Sequence, residues 1–266
     1  MDADDRIRDL SGIVPDIKGD TLERLSKLQP REIDALPVVS GSPRIGACVG
    51  SVGKFICIGL NYADHAAEAG VPLPSEPIVF FKATSAITGP NDDVVLPKGS
   101  QKVDWEVELG LVIGRPVAYA DEKQARAAIA GYCVINDLSE RAWQIERAGQ
   151  WVKGKSADGF GPIGPWLVTP DEVPDDSKLR LWLEVDGKRR QDSSTTQMIF
   201  KPAYLVSYLS QFMSLQAGDV IATGTPPGVG LGQKPPVYLR EGQVIRLSVE
   251  GLGVQTQRVV AWGAGR

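Results

Sequence analysis

The stretch Val103-Asp104-Trp105-Glu106-Val107-Glu108-Leu109 constrains the fold more than any other part of the chain. In a β-strand, alternate residues face the same side. Val103, Trp105, Val107 and Leu109 then form one apolar face, and Asp104, Glu106 and Glu108 form the other. The segment runs on into Leu109-Gly110-Leu111-Val112-Ile113, whose unbroken apolar character fits a strand covered on both sides. The carboxylates are therefore carried close to the core at roughly 7 Å spacing, where like charges repel unless a cation sits among them. An exposed acidic strand face is one reading of this pattern. The other is a site for a hard divalent cation (magnesium, manganese or calcium), which prefers carboxylate oxygens. Asp137 favours the second reading. It follows the apolar strand Tyr132 to Ile135 where a helix is expected to begin, and it could also cap that helix.

The rest of the chain is rich in strand signals. Apolar runs predict strands at 55–59 and 78–81. Leu179, Leu181, Leu183 and Val185 alternate into the two-residue hairpin signal Asp186-Gly187, and a second hairpin is expected around Gly251 to Gly253. Helices are expected over 61–69 with Asn61 as cap, over 121–129, over 138–148, and after Pro202 with an apolar face of Tyr204, Leu205, Tyr208, Leu209 and Phe212. Strands outnumber helices and do not alternate with them regularly, which predicts an α+β architecture. Residues 1–50 read as a small N-terminal domain and a Ser/Gly/Pro-rich linker, ahead of a main body over 51–266.

Several function classes are excluded. The net charge is −4, and the tight basic cluster Lys188-Arg189-Arg190 lies beside a turn signal, as a solvated hairpin tip would, which argues against nucleic-acid binding. No apolar run approaches the about 20 residues that span a bilayer, and the acidic N-terminus lacks a signal-peptide core, so no membrane association is expected. Cys48, Cys57 and Cys133 are widely spaced without a CxxC and read as reduced thiols in a cytoplasmic protein. With His65 as the single histidine, a His-rich zinc site is ruled out, and any Ser-His-Asp triad must use that residue.

Gly149 to Ser156 spells the GxxxxGK[ST] phosphate-loop pattern. The segment before it looks helical and the segment after it cannot be a helix, so nucleotide binding is rejected. Lys155 remains as a cation in a Gly-rich loop for an anionic substrate. In a second Gly/Pro loop, Gly224 to Gly232, Thr225 and free backbone amides could bind a carboxylate. His65 and Glu68 are three apart and share a helix face, where a carboxylate can orient an imidazole as a general base. Gly70, Pro72, Leu73 and Pro74 follow and suit a mobile flap.

Taken together, these segments resemble the fumarylacetoacetate hydrolase family. The matching pieces occur in the family's order: Ile58-Gly59-Leu60-Asn61-Tyr62-Ala63-Asp64-His65, Phe81-Lys82, Asp104 to Leu109, Ile135-Asn136-Asp137, Lys155-Ser156 with Gly161-Pro162, Gly218-Asp219-Val220-Ile221 and Thr223-Gly224-Thr225-Pro226. The resemblance implies a mixed β-roll, a homodimer, and a Mg2+ or Mn2+ ion held by Glu106, Glu108 and Asp137. Some eukaryotic members carry a further Asp ligand where this chain has Ile58. The resemblance also implies a water-activating dyad of His65 and Glu68, an enolate-stabilising Lys155, and substrate contacts from Tyr62, Lys82, Arg141, Gln144 and Thr225. The implied reaction is hydrolysis of the C3–C4 bond of a 2,4-diketo acid, either an acylpyruvate or a diketo-deoxy sugar acid, to pyruvate and a carboxylic acid. Within the family, oxaloacetate decarboxylases, hydroxyheptadienedioate isomerases and proteins labelled ureidoglycolate lyase are the alternatives.

Overall fold

The computed structural model describes residue 4 and residues 6–264. Its strands in chain order are β1 (Phe55–Gly59), β2 (Ile78–Lys82), β3 (Ile87–Thr88), β4 (Val94–Val95), β5 (Val103–Asp104), β6 (Val107–Ile113), β7 (Ile129–Asn136), β8 (Ser139–Glu140), β9 (Gly161–Val168), β10 (Arg180–Val185), β11 (Lys188–Ser194), β12 (Val220–Ala222), β13 (Val244–Val249) and β14 (Val254–Val260). A seven-stranded mixed sheet runs β2-β1-β12-β6-β7-β9-β3. A five-stranded sheet runs β11-β10-β13-β14-β4, and β5 pairs with β8. The helices are short: α1 (Leu22–Leu25), α2 (Pro30–Asp34), α3 (Ala63–Ala69), α4 (Glu122–Arg126), α5 (Arg141–Ile145), α6 (Val152–Lys155) and α7 (Pro202–Ser210). Strands thus dominate, in the α+β roll that the sequence predicts. Among the described residues, no helix is long and apolar enough to cross a membrane.

The central strand β6 is buried at every position because both of its faces are covered. Leu109, Leu111 and Ile113 pack in one core with Leu181 and Leu183 of β10 and Ile245, Leu247 and Val249 of β13. Val112 packs on the other side with Phe55, Cys57, Cys133 and Ile135, and Leu22, Cys48 and Val49 from the N-terminal segment close that core. The unbroken apolar run is the sequence trace of this double cover. Cys48, Cys57 and Cys133 are all free and buried.

Five local expectations change. The strand expected over 103–113 breaks after Asp104, because the Asp104 carboxylate accepts the Trp105 amide at 2.8 Å and the Asn136 side chain accepts the Glu106 amide at 3.2 Å. Neither amide is left for a ladder partner. Asn61 does not cap α3; Tyr62 holds that position. The Asn61 side-chain amide instead clamps two other segments, donating to Phe200 O and Thr223 O and accepting from Phe200 N. The helix expected over 138–148 contracts to β8 and α5, with the Glu140 carboxylate capping at Trp143 N, 2.7 Å away. In α7 the core side is Leu205, Val206 and Leu209, while Phe200, Tyr204, Tyr208 and Phe212 form a more exposed aromatic row. Arg190 also departs from the solvated basic tip, being half-buried over the Trp105 ring at 5.6 Å.

Candidate active site

The carboxylates come from two neighbouring strands. Glu106 immediately precedes β6 and Glu108 lies on it, while Asp137 follows β7, its antiparallel partner. The peptide amide of Asp137 donates to Glu106 O at 2.9 Å, which fixes the two segments in register. Ligand oxygens of Glu106, Glu108 and Asp137 lie within 4.8 Å of one another, and all three residues are buried. Three buried carboxylates at that separation strain against each other. Burial pushes the Glu108 carboxyl well above the usual carboxylate range, and Asp137 and Glu106 push it further. Such a crowded, all-oxygen donor set fits a hard divalent cation.

Cations of the chain itself surround the cluster. The Lys155 ammonium donates to Glu106 Oε2 and Asp137 Oδ2, both at 2.7 Å. Burial disfavours its charge, but Asp137 and Glu106 more than offset this and hold its pKa above the ordinary lysine value. Arg141 donates through Nε to Asp104 Oδ2 at 2.8 Å, and its guanidinium reaches Glu106 Oε1 at 2.7 Å and Gln144 Oε1 at 2.9 Å. For Glu106, burial raises the pKa, and Lys155 and Arg141 bring it below the ordinary value. Lys155 ends α6, a single helical turn rather than the Gly-rich loop expected, and no helix follows it, as the rejected phosphate loop would need.

A cavity of about 580 Å3 opens on Glu106 and Glu108 of this cluster, with the fully buried Asp137 outside its lining. Glu106, Glu108, Lys155, Arg141, Gln144, Thr225, His65 and Glu68 all line it. His65 and Glu68 share one face of α3, with His65 Nδ1 3.1 Å from Glu68 Oε2. A carboxylate only accepts, so Nδ1–H is the donor of this contact, and in the neutral ring that leaves the lone pair on Nε2. Glu68 also accepts the Gly228 amide at 3.0 Å, pinning α3 to the facing loop. Gly228 has φ +101°, and a Cβ there would lie 1.9 Å from Arg190 O, so only glycine fits.

Three features depart from the expected site. Lys82 lies outside the cavity lining: its side chain is fully buried and donates to Asp137 Oδ1 at 2.5 Å and Leu138 O at 2.9 Å. Tyr62 is also fully buried, and its hydroxyl has no hydrogen-bond partner among the described residues. Burial raises its pKa, with the Glu108 charge adding to the effect. Four amides of the 224–232 loop are taken by the protein's own carboxylates rather than left for a ligand. Gly224 N donates to Glu108 Oε2 at 2.7 Å, Gly228 N to Glu68, and Gly230 N and Leu231 N to Asp104 at 2.6 and 2.9 Å. The loop thus holds the protein's own carboxylates. Gly224, at φ +99°, is needed there because a Cβ would meet Asn61 Cβ at 2.8 Å.

Sequence reasoning missed two supports. The Gln191 side chain accepts Val107 N at 3.0 Å and donates to Thr225 Oγ1 at 2.8 Å, and Thr225 Oγ1 donates to Val107 O at 2.9 Å. The buried Glu140 ties α5 to Lys102 N at 3.1 Å. Gln191 directly follows the basic cluster, and nothing in its neighbourhood signals burial.

The sequence model described as fumarylacetoacetate (FAA) hydrolase C-terminal matches residues 54–260. A protein from Burkholderia multivorans named only as a hydrolase is 65% identical over 260 residues, covering 97% of this chain and 92% of that protein. Among solved structures, a 2-hydroxyhepta-2,4-diene-1,7-dioate isomerase from Mycobacterium marinum is 37% identical with a TM-score of 0.70, covering 80% of this chain and 76% of that one. A fumarylpyruvate hydrolase from Pseudomonas aeruginosa, in complex with Mn2+ and pyruvate, is 30% identical with a TM-score of 0.73, covering 84% of this chain and 98% of that one. The extent of the family match and the identity to these relatives establish that the chain belongs to the fumarylacetoacetate hydrolase family.

Proposed function

We propose that the chain is a metal-dependent hydrolase that cleaves the C3–C4 bond of a 2,4-diketo acid of the acylpyruvate type, giving pyruvate and a carboxylic acid. The observation that carries this reading is a carboxylate-held imidazole, His65 with Glu68 at 3.1 Å, in the cavity that also opens on the Glu106–Glu108 cluster and Lys155. Decarboxylation and isomerisation need an enolate stabilised but no activated water, so the dyad favours hydrolysis over them.

Glu106, Glu108 and Asp137 are the residues that would hold Mg2+ or Mn2+. When bound there, the ion would supply Lewis-acid polarisation of the substrate's 2-oxo acid end. His65 Nε2 takes a proton from water, whose oxygen attacks the C4 carbonyl carbon. Glu68 fixes the ring and balances the imidazolium. As the C3–C4 bond breaks, its electron pair passes into the pyruvate enolate, and the proton held on His65 returns to C3 to complete pyruvate and restore the neutral ring. Lys155 offsets the enolate's negative charge, in a site where burial strengthens that interaction. Arg141 and Gln144 orient the carboxylate end of the substrate. Lys82, donating to Asp137, holds that carboxylate in place from behind and does not touch substrate.

The test is pyruvate release from a panel of acylpyruvates and oxaloacetate with Mn2+, Mg2+ or excess EDTA. Pyruvate with an equal amount of carboxylic acid, abolished by EDTA, is the expected result. Turnover of oxaloacetate alone would make the protein a decarboxylase and leave the dyad without this role.

A further inference from the structure

We propose that the group carried on C4 of the substrate is an apolar chain or ring, seated on a hydrophobic wall at the outer part of the cavity. The inference rests on the hydrolase reading above and adds the substrate class to it. Val71, Ile145 and Leu231 are 40%, 47% and 38% exposed, high values for large apolar side chains. They come from three separate places, namely the segment after α3, the end of α5 and the turn Gly230–Gly232. Scattered exposed hydrophobics need no explanation, but these three line the same cavity. Phe80 and Trp151 extend the wall, packed edge to face with centroids 5.2 Å apart. The wall lines the same cavity as His65 and Glu106, so the acyl group of a substrate held at the acidic cluster has this apolar surface to lie on.

Outside the groups already given a role, the polar groups of the lining side chains are those of Gln233, Lys234 and the Trp151 indole N–H. The Gln233 amide faces backbone carbonyls of Gly228 and Val229 at 3.4 and 3.5 Å. Lys234 is exposed and forms no ion pair among the described residues. A polyhydroxylated chain would lay several hydroxyls against carbon with too few partners to replace water. An exposed rim lysine adds little for a distal carboxylate. An alkyl or aryl group loses nothing on leaving water and gains about fourfold in binding per buried methylene. The family resemblance alone leaves diketo-deoxy sugar acids and apolar acylpyruvates equally open; this wall separates them.

The experiment measures kcat/KM of the Mn2+-loaded enzyme for acetyl-, butanoyl-, hexanoyl- and benzoylpyruvate, beside fumarylpyruvate and a diketo-deoxy sugar acid. The expected result is a rise of about fourfold per methylene until the wall is covered, with the sugar acid and fumarylpyruvate below hexanoylpyruvate. Ile145→Asn and Leu231→Asn, both at exposed positions, should cut the hexanoyl-to-acetyl ratio by about tenfold or more. A flat series with intact turnover of acetylpyruvate would overturn the wall and spare the hydrolase reading. Fastest turnover of the sugar acid would do the same. So would a preference for fumarylpyruvate that is lost in Lys234→Ala, which would assign the rim to a distal carboxylate. No pyruvate from any substrate of the panel would overturn the hydrolase reading and this inference with it.

Discussion

Replacing Lys82 by methionine removes a charge from behind the acidic cluster while keeping most of the side-chain volume. The Lys82 and Asp137 side chains are both 0% exposed, and the ammonium lies 2.5 Å from Asp137 Oδ1. It also donates to Leu138 O at 2.9 Å. Removing one partner of a buried pair costs about 3–5 kcal/mol, because the other charge stays buried without compensation. Asp137 keeps Lys155 at 2.7 Å, so the lower end applies, about 3 kcal/mol. At about 2–4 °C per kcal/mol for a chain of this size, the melting temperature should fall by about 6–12 °C in EDTA. A divalent ion on Asp137 would replace the missing charge, so with saturating Mn2+ the loss should shrink to less than half. The assay is a pair of thermal melts of wild type and Lys82→Met, with EDTA and with Mn2+. Equal losses in the two media would show that Asp137 holds no metal. No loss in EDTA would show that the buried pair does not support the fold.

Further outcomes follow from the same geometry. Glu68→Gln keeps an acceptor for Gly228 N but removes the charge beside His65; losing a charge-assisted bond of about 1.5–3 kcal/mol should lower kcat by roughly 10- to 150-fold, and an unchanged kcat in steady-state assays would sink the dyad. The raised Glu108 carboxyl keeps its proton in the metal-free folded protein at pH values where the unfolded chain has lost it. The stability of the metal-free protein should therefore fall as pH rises through the window above the ordinary carboxylate value. Metal binding must displace that proton, so Mn2+ affinity should rise with pH across the same window. Calorimetry in buffers of different ionisation enthalpy should report proton release on binding, and a buffer-independent heat would contradict this. Gly228→Ala should lower the melting temperature by several degrees and free α3, because the new Cβ would lie 1.9 Å from Arg190 O; a melt equal to wild type would show that the loop adjusts at no cost.

How far the sequence could be read depended on whether partners were near in the chain or far from it. Glu106 and Glu108 were legible because a strand's period of two puts them on one side, and Asp137 because it ends an apolar strand. His65 and Glu68 were legible because helical spacing sets them side by side, and the structure brings them to 3.1 Å. Lys82 was not: a lysine closing an apolar strand looks the same at a rim or in a core, and Asp137, which decides the matter, is 55 residues away. The 224–232 loop was legible as a rigid turn, but which carboxylates its amides would hold depends on β6 and α3 packing beside it. In α7 the sequence offered two adjacent apolar rows, and spacing alone could not choose the row of Leu205 and Leu209 as the buried one. The break after Asp104 was hidden because the acceptor for Glu106 N is a side chain from β7, Asn136.

The central claim is that His65 activates the water that splits a 2,4-diketo acid. Its most direct test is the rate of acylpyruvate hydrolysis by His65→Ala with Mn2+ affinity measured on the same sample. The expected result is unchanged Mn2+ affinity, since His65 is not proposed as a metal ligand, with kcat lowered by about 10²- to 10⁴-fold, the usual share of a positioned general base. Near wild-type hydrolysis by the metal-loaded variant would contradict it.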